Sequence, residues 1–98
     1  MGIFDSLKQL SQLKQQALEF QKILASKEVE VGSKNKEIKI KMNGKMELLS
    51  IEIDENILKP ENKNYIEKLI KKTFEEAQKE IEKIIAKEIK STIGFPFF

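Results

Sequence analysis

The stretch Ile38-Lys39-Ile40-Lys41-Met42-Asn43-Gly44-Lys45-Met46-Glu47-Leu48-Leu49-Ser50-Ile51-Glu52-Ile53-Asp54 decides the fold. Through Ile38, Ile40 and Met42 the apolar residues recur at every second position, the period of a strand with one buried and one wet face. Asn43-Gly44 then interrupts the pattern with the dipeptide that best tolerates the positive φ angles of a two-residue hairpin turn. The segment therefore reads as two antiparallel strands, over about 36–42 and 45–53. Beyond the turn Met46 and Leu48 fall on one phase, while Leu49, Ile51 and Ile53 fall on the other. A β-bulge near Leu48 or Leu49 absorbs that slip.

Working upstream, Val29 and Val31 keep the period of two and predict a strand over about 28–31, separated from the next by Gly32-Ser33-Lys34-Asn35. Before that the period changes. Ile3, Leu7, Leu10, Leu13, Ala17, Phe20 and Leu24 recur at steps of three and four, which predicts an amphipathic helix over about 3–25, with Asp5 or Ser6 as its cap. Downstream, a connector containing Ile57, Leu58 and Pro60 leads to a stripe of Ile66, Ile70, Phe74, Ala77, Ile81, Ile84 and Ile89. This predicts a long second helix over about 62–92, capped by Asn62 or Asn64 and stopped by Gly94. The expected architecture is α+β, in the order helix, three antiparallel strands, long helix, as one domain over residues 1–98.

Two length arguments point to a dimer. A helix of about 30 residues spans roughly 45 Å and a strand of seven or eight only about 25 Å, so the second helix should overhang its sheet. Its exposed apolar stripe then packs on the first helix or on a second subunit. Three strands covered on one face also leave an open edge that a partner copy closes. With 98 residues the core is thin, and a second copy relieves that shortage. Phe20, Phe74, Ile81, Phe95 and Phe97 are the aromatic and aliphatic candidates for the core or the dimer contact. The ending Gly94-Phe95-Pro96-Phe97-Phe98 either docks on that core or presents a peptide to a partner.

The chemistry available is narrow. The chain has neither His nor Cys, which removes the usual general bases, thiol nucleophiles and imidazole or thiolate metal ligands. Glu75, Glu76, Glu80 and Glu82 are interleaved with Lys72, Lys79 and Lys83 at salt-bridge spacing, the pattern of a solvated helix face. No glycine-rich phosphate loop is present. No catalytic residue, metal site or cofactor is expected. An apolar run of membrane-spanning length and the features of a signal peptide are also missing, so the expected location is cytoplasmic, without membrane attachment.

Charge is distributed unevenly. The formal total is +2, with +1 in residues 1–25, +3 in residues 26–45 and −2 in residues 46–98. All 18 cationic residues are lysines, so any contact with nucleic acid relies on point charges rather than the bidentate fork of arginine. Lys39 and Lys41, with Lys36 and Lys45 nearby, either face phosphates or form an ordinary polar sheet face.

The order of elements, and the words Val31-Gly32, Ile38 to Lys45 with its Asn-Gly turn, Ile51-Glu52-Ile53-Asp54 and Ile57-Leu58, resemble the YbaB/EbfC family of bacterial nucleoid-associated proteins. Phe74 with Ala77 and the short Gly/Pro/Phe ending are similar too. The family's glycine-rich first turn is reduced here to Gly32, and its arginines are absent. The resemblance implies a homodimer with projecting helical arms that binds double-stranded DNA and helps to organise the bacterial nucleoid or regulate genes; two such arms can straddle a duplex, and lysines on them contact phosphates with little sequence selectivity. Because the family offers no contact motif to transfer, charge and position nominate Lys8, Lys14 and Lys22 of the first helix and Lys79, Lys83, Lys87 and Lys90 of the second. The alternative is a non-catalytic chaperone or adaptor that binds an unidentified protein partner at its sheet edge or aromatic tail.

Overall fold

The computed structural model describes residues 3–93. Helix α1 covers Ile3–Ser26; strands β1, β2 and β3 cover Glu28–Gly32, Ile38–Asn43 and Leu48–Ile53; helix α2 covers Lys63–Glu88 and runs on into a π-turn over Ile89–Ile93. The order of elements is the one the periodicity predicts. Each strand departs from its predicted bounds because of the turns. In the first turn the Lys36 N–H donates to Ser33 O at 2.8 Å, Ser33 Oγ accepts the Ile38 N–H at 3.1 Å, and Lys36 takes a φ of 57°. β2 therefore starts at Ile38 rather than 36.

The second turn corrects the two-residue expectation. Positive φ falls on Met46 (64°), not on the Asn-Gly pair, and the loop is the longer Gly44-Lys45-Met46-Glu47. Asn43 organises it. Its carbonyl accepts the Met46 N–H, its Oδ1 accepts the N–H groups of Lys45 and Glu47, and its Nδ2 donates to the Glu47 carboxylate. The asparagine acts here by imitating backbone, the second of the properties that make it a turn residue. β3 begins only at Leu48 as a consequence.

The sheet order is β1-β2-β3, antiparallel throughout. Lys41 pairs with Ser50 and Met42 with Leu48, which leaves Leu49 as the extra residue of a bulge at the place the phase slip predicts. The bulge puts Leu48, Ile51 and Ile53 on one face with Ile38, Ile40 and Met42. α2 lies across that face. Ile38, Ile40, Met42, Ala77 and Ile81 have no exposed surface, and Val29, Val31, Ile66, Phe74, Ile84 and Ile85 pack around them. Ile81 is thus core within its own chain rather than a dimer contact, and Phe74 is half-buried at the rim.

The apolar stripe of α2 is covered within its own chain further than the strand lengths predict. The chain after β3 forms two short 3-10 turns, Glu55–Ile57 and Pro60–Asn62, which place a buried Ile57 in the core and widen the platform beneath α2. The apolar stripe consequently finds cover in its own chain from Ile66 to Ile85. Asn62 stands at the N-cap position of α2, yet its side chain donates to Ile57 O and leaves the helix end uncapped by it; Asn64 lies inside the helix. Asp5 and Ser6 likewise lie inside α1, where Asp5 favours the positive end of the helix dipole.

The apolar stripe of α1, by contrast, is mostly uncovered: Ile3 is 78% exposed, and Leu7, Leu10 and Leu13 are more than half exposed. Phe20, Ile23 and Leu24 at its C-terminal end are half-buried, and the rest of the helix stands away from the body. The molecule is accordingly elongated, 68 × 25 × 18 Å. β3 is also undercovered, because one helix is wide enough for β1 and β2 only; Leu48 and Ile51 remain 45% and 40% exposed on the core face. The expected contacts of Phe95 and Phe97, and the stop at Gly94, lie outside the described residues.

Candidate nucleic-acid interface

The nominated lysines fall into two groups. In α1, Lys8, Lys14 and Lys22 are exposed and form no ion pair among the described residues. Helical geometry separates them: Lys8 and Lys22 lie about 40° apart around the axis and about 21 Å apart along it, both opposite the apolar stripe. Lys14 lies roughly 80–120° from them, beside the stripe. The first helix therefore offers a pair of lysines on one polar face rather than a line of three.

In α2, Lys79, Lys83, Lys87 and Lys90 follow each other at three or four residues and share one flank of the helix. That flank looks over the free edge of β1. Lys79 and Lys83 line a cleft of about 580 Å³ with Val31 and Ala86, and Glu76, Glu80 and Glu82 line it too. The Lys83 ammonium lies 3.2 Å from the Glu80 carboxylate, so its charge is partly neutralised. This cleft carries both signs and is a poorer phosphate track than the four lysines suggest by themselves.

Two lysines that the sequence reading passed over extend the same flank. Lys72 stands two turns before Lys79, and with Lys34 of the first turn it borders a recess of about 210 Å³ that also contains Ser33 and Glu76. Continuing the spacing of Lys79 and Lys83 backwards along the helix would have found Lys72. Lys34 had no such signal, because only the fold brings the turn against α2.

Lys39 and Lys41 do not form a basic face. The register sets Lys41 opposite Glu30 and Lys39 opposite Glu52, so the open side of the sheet alternates in sign. At the other end of the sheet the Tyr65 hydroxyl donates to the Glu37 carboxylate, which holds the phenol above its usual pKa. Among the described residues no cluster of three or more carboxylates is arranged to hold a metal ion, and no helix is long and apolar enough to cross a membrane.

A family model described as the YbaB/EbfC DNA-binding family matches residues 1–95. A nucleoid-associated protein of Alkaliphilus metalliredigens is 31% identical over 90% of this chain and 77% of its own length. Nucleoid-associated proteins of Afipia carboxidovorans and Clostridium novyi are each 30% identical, over 90% and 96% of this chain and 84% and 82% of theirs. Among solved structures, the uncharacterized protein HP0035 from Helicobacter pylori superposes with a TM-score of 0.75, covering 95% of this chain and 98% of its own at 16% identity. That likeness concerns the fold.

Proposed function

The chain belongs to the YbaB/EbfC DNA-binding family, and from that premise we propose that it is a non-catalytic homodimer that binds duplex DNA through phosphates in the bacterial nucleoid. The observation that carries the reading is the isolated α1, a helix about 36 Å long held by its C-terminal end and presenting Lys8 and Lys22 on its polar face. Lysines on such an arm release condensed counterions from a duplex without reading base edges. The flank of α2 with Lys72, Lys79, Lys87 and Lys90 supplies the second contact, diluted by its glutamates.

The test is the anisotropy of a labelled duplex of about 30 base pairs at several salt concentrations, beside a scrambled duplex. Affinity should fall log-linearly with salt at a slope of about −0.9 per phosphate contacted, and the two duplexes should bind alike. Absence of binding at low salt rejects the proposal.

The second copy is supported by surface that one chain leaves uncovered. Leu48 and Ile51 form apolar surface on the edge strand β3, and Ile3, Leu7, Leu10 and Leu13 form a second apolar surface on α1. An identical chain presents the same surfaces, and one twofold axis can bury both sets. Ile51→Lys should convert a dimer into a species of 11.4 kDa by light scattering at micromolar concentration. A wild-type protein that already runs at that mass refutes the dimer, and a variant that stays dimeric moves the contact away from β3.

A further inference from the structure

The root of α1 and the C-terminal end of α2 meet at one junction. α1 passes into β1 through Lys27, and the carbonyls of Leu24 and Lys27 both accept the Gly44 N–H at 2.9 Å. Glu88 faces this junction as the last residue of α2, immediately before the helix widens into the π-turn. Its Oε1 lies 3.2 Å from Lys27 Nζ. Among the described residues the other two pairs, Lys63–Glu67 and Lys83–Glu80, lie within α2 and are at least half exposed, whereas the Glu88 side chain is only 19% exposed and its pair with Lys27 joins elements far apart in the chain.

We propose that the Lys27–Glu88 ion pair is a latch that fixes the angle at which α1 leaves the body, and so sets the spacing between the α1 and α2 lysines when they grip a duplex. The proposal rests on the DNA-binding reading above, with Lys27 and Glu88 as positioning residues. The lever makes a modest interaction matter. Lys8 sits about 27 Å along the helix from its root, so a tilt of about 10° moves it about 5 Å, more than the roughly 3.4 Å that separates successive phosphates of one strand along the duplex axis. A partly shielded ion pair shifts such an equilibrium several-fold and weakens as salt is added, by about the same screening that acts on the phosphates.

Simple charge counting predicts the opposite sign to a latch. Glu88→Gln removes an acid from a DNA-binding surface, which by itself tightens binding. A latch requires weaker binding, by up to about five-fold, with a shallower salt slope because fewer lysines reach phosphates together. The charge swap Lys27→Glu with Glu88→Lys keeps the total charge and should restore affinity.

The experiment pairs duplex anisotropy with the distance between spin labels at Gln12→Cys on α1 and Glu75→Cys on α2, in a chain otherwise free of cysteine, diluted into unlabelled protein. Thermal melting confirms that each variant is folded. A distance distribution that broadens in Glu88→Gln and narrows again in the swap, together with the loss and return of affinity, supports the latch. Equal or tighter binding by Glu88→Gln, or an unchanged distribution, overturns it. If wild-type protein binds no DNA while the distribution still broadens, the DNA-binding reading fails and the latch survives as a device for orienting the arm.

Discussion

Replacing Gly44 by alanine is expected to destabilise the protein by about 3 kcal/mol, a fall in melting temperature of roughly 15 °C for a chain of this size. A Cβ there would stand 2.5 Å from the Leu24 carbonyl oxygen and 3.0 Å from its Cα, backbone atoms that no rotamer change can move. The loop has to retreat, and both carbonyls that converge on the Gly44 N–H lose their donor. Gly32→Ala is the internal control. Its nearest neighbour is 3.9 Å away, so the same change should alter stability by no more than about 0.5 kcal/mol. If the two variants melt alike, α1 is not seated on the hairpin as described. Because Gly44 holds the root of the arm, folded Gly44→Ala protein should also bind duplex less tightly.

The second large effect concerns DNA. Reversing Lys8 and Lys22 together to glutamate should weaken duplex binding by about 30-fold or more at low salt and reduce the salt slope by about two, since each lysine accounts for roughly one phosphate contact. The loss should be equal for unrelated sequences. Both residues are exposed and outside the apolar stripe, so melting should stay within about 0.5 kcal/mol of wild type. Lys14→Glu, on a different side of α1, should cost markedly less. Similar losses from all three positions would mean that the duplex wraps the arm, and no loss from Lys8 and Lys22 would remove α1 from the interface.

Much of the fold was legible because backbone periodicity reports local structure directly. Ile38, Ile40 and Met42 at every second position gave β2, and the slip between Leu48 and Leu49 gave the bulge before any pairing was known. The Asn-Gly pair announced a turn but misled about its type. Asn43 is there for the four hydrogen bonds of its side chain and carbonyl, and Gly44 for the approach of Leu24 from a distant helix, so neither supplies the positive φ. Lys8 and Lys22 were readable as candidate contacts from charge and spacing. Lys72 was readable too, from the spacing of Lys79 and Lys83, whereas Lys34 was not, because its proximity to α2 exists only after the first turn folds against that helix.

By itself, then, the sequence determined the kinds and order of the elements, the exclusion of histidine and cysteine chemistry, and the family resemblance, since each is a property of neighbours along the chain. It could not say which apolar stripe would be covered. The stripes of α1 and α2 look alike in spacing, yet α2 is buried from Ile66 to Ile85 and α1 is exposed over most of its length. A three-stranded sheet has room for one helix on its face, and the turns after β3 deliver α2 to that place while Gly44 and Glu88 hold only the root of α1. Competition for a single packing surface is decided in three dimensions, and it is what turns one of two similar helices into core and the other into an arm.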